Sequence, residues 1–282
     1  MSTFVIARLT FREAARRKIL LAALLLGLVF LVVYGLGYHF LMQDIERSRS
    51  RIGRLELSEI SNFLMMAGLY VVNFLAIMMT VLTSVDTISG EIASGSIQTL
   101  VAKPIRRWEI MIGKWLGFVV MLTLYLVLMG GGVMMIIFLR SGYVAPHPLR
   151  GLVFMWLNAL LMLSISLLGG ATFSTLANGV MVFGLYGISF IGGWIEQIGA
   201  LIPNQPASQT ALNIGIITSL IMPSEALWRR AAHEMQSPMM GMLNYSPFSS
   251  ISVPSLLMIV YAILYTVGAL ALGVSQFQKR DL

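Results

Sequence analysis

The sequence predicts an all-α membrane protein: six transmembrane helices, preceded by a helix lying at the membrane interface and interrupted on the inner side by one short loop helix. Two observations predict it. Of 282 residues, 57% are apolar and 11% charged, whereas soluble globular chains run to about 45–50% and about 25%. Charge is also confined to short segments, since residues 19–43, 60–85, 115–139, 151–195, 197–224 and 235–278 hold no Asp, Glu, Lys or Arg. A bilayer core of roughly 30 Å is crossed by about 20 helical residues. The run 151–195 therefore holds two spans, broken within Gly169–Gly179, while Pro203 and Pro206 interrupt 197–224 and leave too little chain to cross. Residues 1–282 read as one transmembrane domain with spans at 19–41, 62–87, 111–139, 152–174, 179–202 and 253–276.

Ahead of the first span, residues 3–18 read as an interfacial helix. Phe4, Ala7, Phe11 and Ala14 form one stripe and Arg8, Arg12 and Arg16 the neighbouring one, so rings can sit at headgroup level while arginines meet anionic lipid. The simpler alternative is a positive flank that only orients the first span. A cleavable signal peptide is not expected, because the first apolar run follows eighteen residues and ends without a small-x-small site. With the N-terminus inside, eleven basic residues fall on inner segments and eight on outer ones. The bias is strongest at the first span, which places both termini inside. The outer segments are then 42–61, read as a solvated helical extension, 140–151, and the long loop 203–252. In that last loop two short apolar stretches, divided by Pro223, are expected to pack on the outer mouth.

Several function classes lose their basis here. The formal charge of +7 sits at span ends, where it meets headgroups and fixes topology, so nucleic acid is not an expected partner. Zero cysteines exclude disulfides and thiolate chemistry. His39, His147 and His233 lie far apart, with no partner at metal-ligand helical spacing. No metal site, catalytic residue or bound cofactor is expected in this chain. Gly113-Lys114 is followed by Trp115 instead of Ser or Thr, and no glycine stands five positions before Gly113, so a phosphate-binding loop is not expected. Ser164 and Ser166 have no histidine nearby in sequence, which leaves an intramembrane enzyme with little support.

The informative segment is the inner loop 88–110. A short helix is expected from Glu91 to Ala102, with Glu91 in its first turn favouring the helix dipole and Pro104 ending it at Lys103. Ala93, Ile97, Leu100 and Val101 make a small apolar face flanked by Gly95 and Ser96. So short a helix is not stable alone in water, and an apolar knob of this kind fits a groove on a partner protein. Resting on lipid as an interfacial hairpin is the alternative. Arg106, Arg107 and Trp108 mark the headgroup layer before the third span.

The loop ISGEIASGSIQTLVAKPIRRWEIMIGKWLG resembles the inner loop of type-2 ABC transporter permeases, in which an acidic residue is followed by a glycine, a leucine, a Pro-Ile/Val-Ser/Arg-Arg segment and a Gly-Lys. The N-terminal ARLTFREAARRK, the outer LIMPSEALWRR and the C-terminal FQKRDL are similar to that family too. The outer motif looks most like the subgroup containing the permease for nitrous-oxide-reductase maturation. The resemblance implies an exporter subunit in a prokaryotic cell (inner) membrane. It would pair with a second copy of itself and with two copies of a cytoplasmic ABC ATPase, which bind the ATP and Mg. By the family pattern, residues 3–18 would be the elbow helix. The loop helix would be the coupling helix, with Glu91, Gly95, Ile97, Leu100, Pro104 and Arg107 as the residues carried over to ATPase coupling. The small Ser94-Gly95-Ser96 departs from the pattern and suggests engagement through backbone. The alternative is an ATPase-driven scaffold that transmits force to a periplasmic partner without moving a small-molecule cargo.

Other polar positions admit two readings. Glu196 is expected to snorkel to the outer surface. Asn73, Thr80, Thr83 and Ser84 either line a path or bond between helices. Paired glycines suit close helix packing or flexing, and twenty methionines suit an adaptable interior.

Overall fold

The computed structural model describes residues 2–47, 53–97, 105–200, 206–239 and 253–280, and among them there are helices, turns and bends but no strand. The helices are α1 (Ser2–Arg16), α2 (Lys18–Arg47), α3 (Arg54–Ser84), α4 (Ser89–Ala93), α5 (Arg107–Ser141), α6 (Pro148–Thr172), α7 (Thr175–Ala200), α8 (Pro206–Ile221), α9 (Ser224–Met235) and α10 (Leu256–Lys279). Six of them, α2, α3, α5, α6, α7 and α10, are long and apolar enough to cross a membrane. At 1.5 Å per residue they measure about 36 to 52 Å, so each extends past the hydrocarbon into the headgroup layers. The protein is a multi-pass membrane protein.

Helix α6 is the most enclosed span and α2 the least. Met65, Met66, Leu69 and Val72 of α3, Met111, Leu122 and Met129 of α5, and Met155 and Leu163 of α6 form one buried cluster. Unbranched thioethers fill the irregular gaps where long helices cross. The break between α6 and α7 falls at Phe173–Ser174, inside the expected Gly169–Gly179, and the fifth span begins at Thr175, four residues earlier than expected. The glycines at 169 and 170 serve packing instead. A Cβ on Gly170 would come within 3.3 Å of Ile88, and one on Gly169 would strike the Asn178 side chain.

The N-terminal helix does more than rest on lipid. Ile6, Thr10 and Ala14 are buried against α5, where Gly113 and Gly117 lie one turn apart. A Cβ on Gly113 would sit 2.7 Å from Ile6, and one on Gly117 would sit 2.7 Å from the Ala7 carbonyl. This is the close helix crossing that small residues at four-residue spacing permit. Phe4 and Leu9 face outward instead, so the buried stripe is Ile6–Thr10–Ala14, rotated from the Phe4–Ala7–Phe11–Ala14 stripe expected.

Helices α8 and α9, expected as small helices packed at the mouth, reach into the bundle. They bend by 107° at a break of Met222–Pro223 and form a hairpin that enters and leaves on one side. Its entry is tied to the end of α7, since Ser208 Oγ donates to the Gly199 carbonyl at 2.9 Å. Its exit is tied to the start of α3, since Asn62 Nδ2 donates to the Met235 carbonyl at 3.0 Å and accepts through Oδ1 from the Ser237 N–H at 3.1 Å. Its tip is held by Ser189, which donates to the Met222 carbonyl at 2.8 Å and accepts from the Glu225 N–H at 3.1 Å. Ser189 lies eleven residues before the end of α7, so the tip reaches about 16 Å down that helix. The hairpin is re-entrant. Pro223 supplies the turn, and burial of Met222, Leu227, Trp228 and Met235 supplies the reason to leave the surface.

Candidate functional site

The N-terminal helix, the α3–α4 turn, the α6–α7 turn and the C-terminal end of α10 meet on one face of the bundle. Arg107 Nη1, at the start of α5, donates to the carbonyls of Gln278 (3.1 Å) and Arg280 (2.5 Å), while Arg280 Nη1 donates to the Ala171 carbonyl at 2.7 Å. Cations thus satisfy the last carbonyls of α6 and α10, where the helix dipoles favour them. Glu109 reaches back to the Arg106 N–H at 3.1 Å and closes the other end of the same junction.

The loop between α3 and α5 is fastened to nearly every helix on this face. Helix α4 starts at Ser89 and stops at Ala93, and Gly95 then adopts φ +71, a left-handed conformation that terminates helices and that glycine adopts without steric cost. The helix expected over Glu91–Ala102 is therefore broken at Gly95. The hydroxyls of Ser94 and Ser96 each donate to the Glu91 carbonyl at 3.3 Å, which closes the turn on itself.

Two anchors fix it. Asp86 accepts from Thr175 Oγ1 at 3.1 Å and lies 3.7 Å from the Arg17 guanidinium, and Ser89 shares a 2.8 Å hydrogen bond with Thr175. Asn178 Nδ2 donates to the carbonyls of Val85 (3.0 Å) and Ser166 (2.9 Å), and Ser84 Oγ donates to Ser166 Oγ at 2.7 Å. The second anchor is the ion pair between Glu91 and Lys114 of α5, with side-chain exposures of 16% and 4%. A lysine this deeply buried is held by its pairing, and its position one residue after Gly113 places it under α1. The Gly113-Lys114 pair is thus a helix-crossing and clamping element.

These contacts leave a small knuckle to the outside. Ala93, Ser94 and Ser96 are exposed. Ile97 is 1% exposed and belongs to the protein's own core, so it does not contribute to an outward apolar face as expected. Leu100, Val101, Ala102, Lys103 and Pro104 lie outside the described residues. Glu91 is brought together with Lys114, Gly95 stands at the apex, and Arg107 is turned to the C-terminal junction.

The polar positions of α3 are buried inside the subunit's own packing. Thr80 and Thr83 donate to the carbonyls of Ala76 (2.6 Å) and Met79 (2.7 Å) in their own helix, and Asn73 accepts from Asn158 of α6 at 3.3 Å.

On the opposite face, Glu196 does not snorkel. It is 5% exposed and forms an ion pair with Arg229, itself 3% exposed. Arg229 Nη2 also donates to Ser219 Oγ at 3.2 Å. Glu225 precedes Arg229 by one turn and packs on Gly193. An aromatic group encloses the hairpin here, with Tyr70 against Trp228 at 5.1 Å and accepting from Trp194 Nε1 at 2.9 Å. Sequence reasoning missed this pairing. Its available signal was Glu225 and Arg229 at four-residue spacing in the stretch SEALWRRAAHEM. Near the hairpin's exit, burial pushes the Tyr143 hydroxyl above the usual phenol range, with the Asn62 amide working against it and Glu59 with it. Among the described residues no group of three His, Asp or Glu side chains could hold a metal ion.

The geometry is that of a helical membrane unit with a braced loop on one face and a re-entrant hairpin on the other. A family model described as ABC-2 family transporter protein matches residues 4–282. The chain belongs to the ABC-2 transporter family and is a membrane subunit of an ABC transporter. No curated protein matches the sequence. Membership implies a partnership with a cytoplasmic ABC ATPase, and subunits of this kind are typically not catalytic themselves.

Proposed function

We propose that this chain is the permease subunit of an ATP-driven exporter, that the knuckle around Gly95 is its coupling element, and that two ATPase copies supply ATP and Mg to a pair of such chains. In this reading the N- and C-termini and the α3–α5 loop are cytoplasmic, in a prokaryotic inner membrane, and the hairpin faces outward. The observation that carries it is the bracing of the α4 turn. A push on Ala93–Ser96 is resisted by Glu91–Lys114 and by the Asp86, Ser89 and Asn178 contacts. The displacement therefore passes to α3, α5 and α7 together instead of being absorbed by a soft loop. The exposed groups are small, which suits a groove that closes on backbone.

A second reading keeps the same drive but delivers it to a periplasmic partner, as the similarity of LIMPSEALWRR to the nitrous-oxide-reductase maturation subgroup suggests. The observation that favours it is the hairpin, whose exit is tied to α3 through Asn62, so motion in α3 reaches the outer surface directly.

The test is Ala93→Trp, an exposed position where a large ring blocks docking without disturbing the core. The variant should insert and unfold like the parent chain but no longer stimulate the co-expressed ATPase. Undiminished stimulation overturns the coupling assignment. Transport into inverted vesicles, present or absent in the parent complex, then separates the exporter from the scaffold.

A further inference from the structure

We infer that the cleft between α1, α4 and α5 is a binding site for the phosphate headgroup of an anionic phospholipid. The cleft has a volume of about 530 Å³ and is lined by Leu9, Arg12, Glu13 and Arg16 of α1, Glu91 of α4 and Lys114 of α5, among others.

The charge arrangement singles out the ligand. Of the two carboxylates, Glu13 is engaged by Arg17 at 2.8 Å and Glu91 by Lys114. Among the described residues, Arg12 and Arg16 have neither an ion-pair nor a hydrogen-bond partner. Two guanidiniums at four-residue spacing are neighbours on a helix, and each presents a planar fork suited to phosphate oxygens. Beneath them the Glu91–Lys114 ion pair closes the cleft floor, so the unmatched charge is that of Arg12 and Arg16. The unmatched charge is therefore cationic and placed to receive one diffuse anion.

The apolar part of the lining selects lipid over a soluble anion. Leu9 lines the cleft and is 55% exposed, and one turn earlier Val5 is also 55% exposed. A helix that shows arginine forks and aliphatic side chains side by side matches the phosphate-to-acyl boundary of a bilayer. Arg12 and Arg16 belong to α1 and not to the Ala93–Ser96 knuckle, so the two cations stand apart from the docking reading.

The experiment uses the purified full chain in mild detergent, incubated with phosphatidylglycerol or phosphatidylcholine and examined by native mass spectrometry. The parent chain should retain phosphatidylglycerol through a collision energy that strips phosphatidylcholine. Arg12→Gln/Arg16→Gln should cut that retention about tenfold with an unchanged unfolding temperature, as expected for losing two charge-assisted contacts. Arg140→Gln, an exposed change at the far end of α5 and outside the cleft lining, should leave it intact. Equal retention by the double variant, or an equal loss in Arg140→Gln, overturns the site. Displacement of the lipid by millimolar inorganic phosphate overturns the lipid assignment in favour of a soluble anion.

Discussion

Glu196 of α7 and Arg229 of α9 form an ion pair inside the bundle, and Glu225, one turn before Arg229, shares its electrostatic surroundings. The three residues are between 3% and 5% exposed. One guanidinium thus pairs with Glu196 and lies within electrostatic reach of Glu225, and it joins the re-entrant hairpin to the fifth span where water cannot replace it. Burying such a pair gains little over apolar packing, but removing one member strands the other.

The arithmetic orders the single variants. Arg229→Met strands the buried Glu196 carboxylate, with the Glu225 carboxyl in the same electrostatic surroundings, and should lower stability by about 3–5 kcal/mol. Glu196→Gln leaves Arg229 with Glu225 and should cost distinctly less. Thermal unfolding in detergent, followed by the fluorescence of Trp194 and Trp228, reads both changes. Equal losses would mean that Glu225 does not share the guanidinium.

On the other face, Glu91 Oε2 is buried with no hydrogen-bond partner, while its other oxygen is held by Lys114. Lys114→Met should therefore leave an uncompensated carboxylate and cost about 3–5 kcal/mol, whereas Glu91→Gln/Lys114→Met should recover much of that loss. Hydrogen exchange across residues 89–97 is the specific measurement. It should rise in the single variant and return toward the parent level in the double one. A double variant as exposed as the single would show that the loop is not held through this pair.

Gly95 separates the role of backbone from that of side chains. A Cβ there would meet nothing within 4 Å, but its φ is +71. Gly95→Ala should cost about 1–2 kcal/mol of local stability through conformation alone, and Gly95→Asn less, because asparagine tolerates the left-handed region. Exchange rates of the Ser94–Ile97 amides check the order Gly, Asn, Ala.

The six spans were legible because an uncharged run of sufficient length has one physical outcome in a bilayer, and residues 19–43 or 115–139 admit little else. The loop around Glu91 was legible as a feature but not as a shape. The spacing of Ala93, Ile97 and Leu100 suits a helix, yet Gly95 costs little in a left-handed turn and Ile97 gains more by joining the core. Pairings across the fold were not legible. Nothing local relates Glu91 to Lys114 or Glu196 to Arg229, and hydropathy alone could not tell a surface helix from a re-entrant one at 206–235. The Gly113-Lys-Trp-Leu-Gly117 spacing was a usable signal for the seat of α1, since small residues four apart mark a close helix crossing.

That seat supplies a prediction with a local readout. Gly117→Val must push α1 off α5, because even a Cβ would lie 2.7 Å from the Ala7 carbonyl and 2.9 Å from Thr10. The strain is about 1–3 kcal/mol, enough to detach a short helix whose fully buried residues, among those described, are Ile6, Thr10 and Ala14. Limited trypsin digestion should cleave after Arg12 or Arg16 in the variant while the spans stay intact. Resistance equal to the parent chain would show that α1 is held elsewhere.

The two faces of the bundle can be assigned to the two sides of the membrane without altering its core. The chain has no cysteine, so a single introduced thiol reports one position. Ser96 is exposed beside the α4 turn and His233 is exposed near the exit of the hairpin. In intact cells an impermeant maleimide should label His233→Cys and spare Ser96→Cys, and inverted vesicles should show the reverse. Neither position carries core packing, so loss of folding is not an explanation for loss of labelling. The sidedness rests on eleven inner against eight outer basic residues, a narrow bias whose strongest part is Arg12, Arg16, Arg17 and Lys18 just before the first span. Labelling of both thiols from the same side would mean that one hairpin end or the α4 turn crosses where the helices suggest it does not. Labelling with the sides exchanged would place the α4 turn outside, beyond reach of any cytoplasmic ATPase.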